Sequence, residues 1–311
     1  MDEKQVSPKV AAFVIGGVLV AALAAVAVTW FVERKRDLIA EVPGLGKFVI
    51  RDPKDIIQSR LLLGQPWEQP SVELFEQMIK PGMSVADFGA YNGVHSIRFA
   101  RLVGPTGHVY AFEPNPRAFD MLTANISLNG LGDRIVTYPF GLAEQATSTK
   151  MATAEAHNLG GTVACSEQDI KEHRRECEQA TADSTLVRID DDARRWFPTH
   201  VDFLKIDVEG YEDRVIAGAK GWIARDRPVI FIEIWDDRKR ARENMTVKAS
   251  DVVATIESLG YRGQVFRAPW EYLFLPVAPG AKATAASPSA SASPSTSSSA
   301  SASPAASSSA H

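Results

Sequence analysis

Cysteine is scarce in this chain: Cys165 and Cys177 are the only two among 311 residues. Neither stands in a C-x-x-C spacing or beside other metal-ligating types, which excludes a disulfide-built scaffold and gives no zinc pattern. They read as free thiols, with a single bridge as the alternative if the domain lies in an oxidising compartment. An excess of basic charge is missing too. Lysine and arginine number 34 against 38 aspartates and glutamates, a net charge of −4, so there is no electrostatic footprint for nucleic acid. No G-x-G-x-x-G occurs, and without it a dinucleotide pyrophosphate lacks its backbone cradle. Long apolar runs are confined to the N-terminal stretch.

What the chain does have is centred on Ser84 to Pro116. Val85, Ala86 and Phe88 form a short apolar run that breaks into a turn spanning Gly89, Ala90, Asn92 and Gly93. With Asp87 just ahead of the turn, this is the pattern of a buried parallel strand entering a helix. Glycine at 89 and 93 lets backbone approach a ligand where a Cβ would collide, and the first free N–H groups of the helix point into the same space. About twenty residues on, a second apolar run from Val109 to Phe112 ends in Glu113, and a carboxylate at such a strand tip typically takes both ribose hydroxyls of a nucleoside. An acid ahead of the turn would repel a phosphate. It suits a ligand with a cationic group, and S-adenosylmethionine (SAM) offers an ammonium, a sulfonium and a ribose. The competing reading of D-x-G-x-x-x-G is a tight strand-to-helix turn with no ligand.

Val10 to Val32 contains no charged residue, and as a helix it would be roughly 34 Å long, enough to cross a bilayer. Trp30 and Phe31 sit where an interfacial aromatic is favoured. Lysine and arginine are commoner after the span than before it, so the positive-inside rule puts the following domain in the cytoplasm. A cleaved signal peptide, leaving a lumenal or secreted domain, is the alternative. Residues 1–33 are thus expected to form an N-terminal tail and membrane anchor, 34–69 a juxtamembrane connector with one short helix near Asp55 to Leu63, and 70–278 the folded domain. Within that domain Ser71 reads as the N-cap of a helix reaching Ile79, Pro116 to Asn129 as a further helix and Ile135 to Phe140 as a third strand. Right-handed crossovers then give a mostly parallel sheet with helices on both faces, closed by an antiparallel hairpin over Gly263 to Phe266 and Tyr272 to Leu275. Residues 141–200 are polar and read as a lid over the ligand crevice. Residues 279–311, almost entirely Ala, Ser, Pro and Thr, cannot bury apolar surface and should be disordered.

A second informative stretch, Val201 to Glu212, reads VDFLKIDVEGYE. Phe203, Leu204 and Ile206 belong to a buried strand, and Asp207 and Glu209 emerge at its C-terminal end, beside the crevice where open sheets bind ligands. The bland role for these two acids is capping the next helix and pairing with Lys205 or Arg214. Val229 to Ile234 is another apolar strand. In order and spacing, VADFGAYNG, VYAFEPNP, NLGGT, FLKIDVEGYE and PVIFIEIW resemble the FkbM family of SAM-dependent methyltransferases. The resemblance implies an α/β, Rossmann-like class I methyltransferase fold and methyl transfer, usually to a hydroxyl oxygen of a sugar, glycan or lipid-linked acceptor. Carried over by position, Asp87, Gly89 and Gly93 would face the methionine part of SAM, Glu113 the ribose, and Pro114 and Asn115 the adenosine edge, with Ala90, Asn92 and Asp207 also in the cofactor site. Asp207, Glu209 and Gly210 would form the reaction floor. Tyr91 departs from the pattern by standing where Asn is usual, and Arg188 stands where Thr is common.

An alcohol acceptor must lose a proton. Asp207 or Glu209 could take it as general base, or the two could hold a divalent cation, magnesium being the one that the similar macrocin-type sugar O-methyltransferases imply. Spacing alone shows no metal. His157, beside the NLGGT run, is an alternative base, whereas His95 reads as structural. Two readings from other classes stay open: a nucleotide-dependent oxidoreductase on the same fold, and a non-catalytic membrane-tethered adaptor. Acceptor identity and oligomeric state are not legible in the residues.

Overall fold

The computed structural model describes residues 37–278, apart from 154, 172–176 and 179. The expected membrane anchor and the Ala/Ser/Pro-rich tail lie outside the described residues. Among those described, no helix is long and apolar enough to cross a membrane.

The chain begins with a hairpin, β1 (Leu38–Val42) and β2 (Gly46–Ile50), followed by α1 (Ile56–Leu62) and α2 (Gln69–Met78). Alternating units come next: β3 (Ser84–Phe88), α3 (Val94–Val103), β4 (His108–Phe112), α4 (Pro116–Leu128) and β5 (Ile135–Tyr138). Residues 141–200 carry β6 (Gly141–Leu142), β7 (Thr147–Thr153), β8 (Thr162–Cys165), α5 (Glu167–Lys171), β9 (Ala182–Val187) and α6 (Ala193–Trp196). The remainder is β10 (Phe203–Ile206), α7 (Glu212–Asp226), β11 (Val229–Glu233), α8 (Asp237–Arg242), α9 (Ala249–Ser258), β12 (Tyr261–Arg267) and β13 (Glu271–Pro276).

Seven strands form one sheet in the order β12-β13-β11-β10-β3-β4-β5. The five from β11 to β5 run parallel, as apolar runs joined by helical crossovers require. In the C-terminal hairpin, β13 inserts antiparallel beside β11, and β12 pairs antiparallel with it at the edge. Alternation along each strand fills two cores. Ala86, Phe88, Leu204, Ile206, Ile230 and Ile232 pack with α7 and α9, while Val85, Val109, Phe203 and Phe231 pack with α2, α3 and α4. Phe75 of α2 meets Phe99, Phe203 and Phe231 edge-on, with centroids 5.0 to 5.8 Å apart. The same alternation buries a charged pair on the α2/α3 side. Lys205 stands opposite Asp87 in the register of β10 and β3, its Nζ 3.8 Å from Asp87 Oδ1 and 3.1 Å from Asp207 Oδ2.

Residues 37–69 of the expected connector do more than connect. Ala40, Val42, Leu45, Phe48 and Ile50 are buried in the second core, and α4 binds the hairpin through Val49 N to Asn125 Oδ1 at 2.7 Å and Lys47 N to Asn129 Oδ1 at 3.0 Å. Pro43, Gly44 and Gly46, which look like linker punctuation, make the turn between two short strands. The helix near Asp55 is present, with Asp55 accepting from Ile57 N and Gln58 N as its cap. Ser71 is not a cap. Pro70 fits the first helical turn, so α2 starts at Gln69 and Ser71 lies inside it, its Oγ donating to Glu271 Oε2 at 3.3 Å. The polar 141–200 stretch builds its own sheet, in the order β6-β9-β7-β8.

The free-thiol reading of the cysteines is overturned. Cys165, at the end of β8, is bridged to Cys177 with Cα atoms 5.5 Å apart, and both are buried beside Ala152, Val163 and Trp235. Only 12 positions separate them, so the bridge closes a short loop that sequence spacing alone does not reveal.

Replacing Lys205 by Met would leave Asp87 as an uncompensated buried charge, and urea unfolding should show a loss of about 3–5 kcal/mol. An unchanged midpoint would contradict the role given to the pair. Alkylation of denatured chain purified without reductant should modify neither cysteine and, after reduction, both. Two reactive thiols before reduction would contradict the bridge.

Candidate active site

A cavity of about 350 Å³ opens at the C-terminal ends of β3, β4, β10 and β11, the side on which open sheets bind ligands. Strand β3 runs into Gly89, Ala90 and Tyr91, and β4 delivers Glu113 and Pro114; all five line the cavity. Glu113 Oε2 accepts from Tyr91 N at 2.8 Å and Oε1 from Asn115 N at 2.7 Å. Burial pushes its carboxyl up to about 7, against the pull of those two donors.

The second sheet supplies the facing wall through Met151, Ala164, Leu186 and the loop from Asn158 to Thr162. That loop is tied down at two points, Leu159 and Thr162. Asp55 Oδ2 accepts from Leu159 N at 3.0 Å while Asp55 Oδ1 takes the Tyr91 hydroxyl at 3.1 Å, and Asn115 Nδ2 reaches Thr162 Oγ1 at 3.2 Å. Tyr91, the residue that departs from the family pattern, thereby links the β3 turn to α1, and Gln58 Nε2 donates to the same hydroxyl at 2.9 Å. Arg188, the other departure, follows β9 and pairs with Asp191 at 2.9 Å.

Charge gathers at the opposite end. Glu68, Asp207, Glu209 and Glu233 line it together with Lys205 and Lys239, next to Trp67 and Trp270. Burial alone would lower the Lys205 ammonium; Asp207, Asp87 and Glu68 more than offset it and hold the group above its ordinary value. Lys239 Nζ lies 3.7 Å from Glu209 Oε2 and 3.5 Å from the Trp235 ring centroid. His95 Nε2 sits 3.1 Å from Glu68 Oε2. Burial raises the Glu68 carboxyl, but that hydrogen bond and the charges of His95 and Lys205 leave it below its usual range. His95 packs against Phe75 and Phe99 and holds Glu68 in place, a structural role. With Glu113 and Glu155, the lining presents six carboxylates against two lysines.

Several expected site residues stand behind the cavity. Asp87 is fully buried, its Oδ2 accepting from Ser96 Oγ at 2.6 Å, and acts on the cavity through Lys205. A Cβ on Gly89, whose φ is +83°, would lie 1.7 Å from the Asp207 carbonyl oxygen, and one on Gly93 would lie 2.7 Å from Leu122 Cδ1. The two glycines let the strand tips and helices close on each other, and Gly89 also lines the cavity. Asn92 is buried, its carbonyl accepting from Asn125 Nδ2 at 2.8 Å, and Asn115 caps α4. His157, the alternative base, projects outward with Nδ1 2.6 Å from Asp52 Oδ2 and is not part of the lining. Sequence reasoning missed Glu68, Lys239, Trp270 and Glu233. Glu233 had a signal: it ends β11 as Glu113 follows β4 and Asp207 follows β10.

Residues 87–262, more than half the chain, match the family model described as the methyltransferase FkbM domain. Among curated proteins, methyltransferase sdnD of Sordaria araneosa is 28% identical over 176 residues, covering 49% of this chain and 66% of that protein. The 2-O-methyltransferase NoeI of Sinorhizobium fredii is 29% identical over 168 residues, covering 50% and 65%. The chain therefore spans slightly under two thirds of the length of these relatives. Among solved structures, the FkbM methyltransferase of Methylobacillus flagellatus aligns with a TM-score of 0.39 at 14% identity, over 70% of this chain and 52% of that one. A SAM-dependent O-methyltransferase of Thermotoga maritima aligns with a TM-score of 0.41 at 13% identity, over 78% of both chains. The blocks that carry the elbow, the Glu113 strand and the Asp207 tip all fall inside the matched region, and the chain belongs to the FkbM methyltransferase family.

Proposed function

We propose that this chain is a SAM-dependent methyltransferase acting on a hydroxyl oxygen of a sugar, glycan or lipid-linked acceptor, with its N-terminal segment as a membrane anchor. The observation that carries the reading is the charge of the cavity. Six carboxyl side chains against two lysines suit a ligand bearing a sulfonium and an ammonium, and the ionised ones repel the pyrophosphate that an oxidoreductase on this fold would have to hold. A non-catalytic adaptor would have no use for so many carboxyls turned into one small space. The NoeI relative, a 2-O-methyltransferase, supports oxygen as the methylated atom.

When bound, SAM supplies a methyl carbon on a positively charged sulfur, already a good leaving group, so the protein has mainly to align the acceptor and remove its proton. Glu113 is suited to the ribose hydroxyls, and its two backbone donors fix the carboxyl for that contact. Gly89, Ala90 and Asp207 line the space between the ribose end and the charged end. Magnesium does not fit these side chains. Asp207 and Glu209 already meet lysines, and among the described residues no three His, Cys, Asp or Glu side chains are grouped as metal ligands. No step is assigned to an ion. The Cys165–Cys177 bridge supports a lumenal or secreted domain over a cytoplasmic one, because such bridges persist in oxidising compartments; SAM would then have to be delivered there.

Membranes incubated with the full chain and methyl-labelled SAM should yield one class of labelled product. Glu113→Ala should weaken SAM binding roughly ten- to a hundredfold, the worth of charge-assisted hydrogen bonds to the ribose. Unchanged affinity and labelling in that variant would remove Glu113 from the site.

A further inference from the structure

We propose that Glu233 takes the acceptor's proton and that the cofactor's own charge readies it: uncharged in the empty cavity, Glu233 ionises when the cationic nucleoside enters. It keeps a proton again once methyl transfer has left the sulfur neutral. This rests on the SAM reading above.

The geometry comes from the sheet register. Ile206 and Ile232 are the last parallel pair of β10 and β11, so Asp207 and Glu233 leave the two strands side by side on one face. On the other flank Glu271 of β13 stands directly opposite Glu233. Three carboxyls across three neighbouring strands do not all ionise cheaply. Their counter-charges are unequal. Lys205 holds Asp207, Arg267 holds Glu271, and Lys239 meets Glu209. Among the described residues no cationic side chain or hydrogen-bond donor is paired with the Glu233 carboxyl, although it lines the cavity.

Glu233 is therefore the group that holds a proton. Burial first, then the charges of Asp207, Glu209, Glu68 on the approach to α2 and Glu212 on α7, push its carboxyl up to about 9. Lys205 and Lys239 face the same space but are engaged with Asp207 and Glu209. A neutral acid accepts no proton, and a permanent cation in the cavity reverses that. During transfer the acceptor O–H bond breaks and its proton passes to a Glu233 oxygen. The oxygen's electron pair forms the O–CH3 bond, and the C–S pair stays on sulfur. Loss of the positive charge then restores the high proton affinity of Glu233, which keeps the proton from returning. Asp207 is already engaged by Lys205.

Calorimetry on the full chain with SAM and with S-adenosylhomocysteine, in buffers of different ionisation heat, tests this without an acceptor. Below about pH 9, wild type should release roughly one more proton on binding SAM than on binding S-adenosylhomocysteine. Its Kd for SAM should fall by up to roughly tenfold per pH unit from neutrality upward, with a much flatter profile for the neutral thioether. Glu113 would contact the ribose common to both and cancels in the comparison. In Glu233→Gln, which keeps the shape of the side chain, SAM should still bind but the excess proton release should vanish. Equal proton release for the two nucleosides in wild type overturns the proposal, and so does an excess that survives in Glu233→Gln; the wild-type comparison decides alone if the variant misfolds. A wild type that binds neither nucleoside instead overturns the SAM reading, and this proposal with it.

Discussion

The structure depends on one buried ammonium. Lys205 is almost wholly removed from water, a state that an isolated lysine does not sustain in charged form. It is sustained by Asp87, across the β3–β10 register, and by Asp207, two residues further along its own strand. The same charge fixes two parts of the site at once: the end of β3, where the chain turns over Gly89, and the tip of β10, where the acids face the cavity. Because Gly89 packs against the Asp207 carbonyl with no room for a Cβ, the two tips cannot shift independently.

From that fixed floor the cavity is built outward by elements of different origin. The N-terminal hairpin and α1 brace α4 and the Asn158–Thr162 loop, the second sheet closes the far side, and the Cys165–Cys177 bridge lies just behind that wall. What remains in the middle is an imbalance of charge. Lys205 and Lys239 neutralise part of it, the His95 contact helps hold Glu68 below its usual range, and burial pushes Glu113 to about 7 and Glu233 to about 9, toward their neutral forms. Such a cavity is poised for a cation, since a positive guest lets Glu233 ionise.

Much of this was legible in the residues, for a physical reason. Strands buried on both faces must be apolar throughout, so SVADF, HVYAF, FLKI and VIFIE announce themselves, and the acids at or just after their ends mark the ligand edge of the sheet. Local signals failed where long-range contacts decide. LIAEV and GKFVI are too short and too close to Pro43 and Gly44 to declare a hairpin, and their partners, α1 and α4, come later in the chain. The short loop that the disulfide closes is not revealed by sequence spacing alone. Asp87 was expected to touch the ligand and instead holds the lysine that shapes the site, because strand alternation turns it into the core. Glu233 went unassigned since its meaning comes from its neighbours on β10 and β13, which sequence order keeps far apart.

The central claim is that this cavity selects a positively charged nucleoside. Parallel titration of the folded full chain with SAM and with NAD measures it most directly. The account predicts saturable heat with SAM and none with NAD at the same concentrations; binding of NAD with no response to SAM would contradict it.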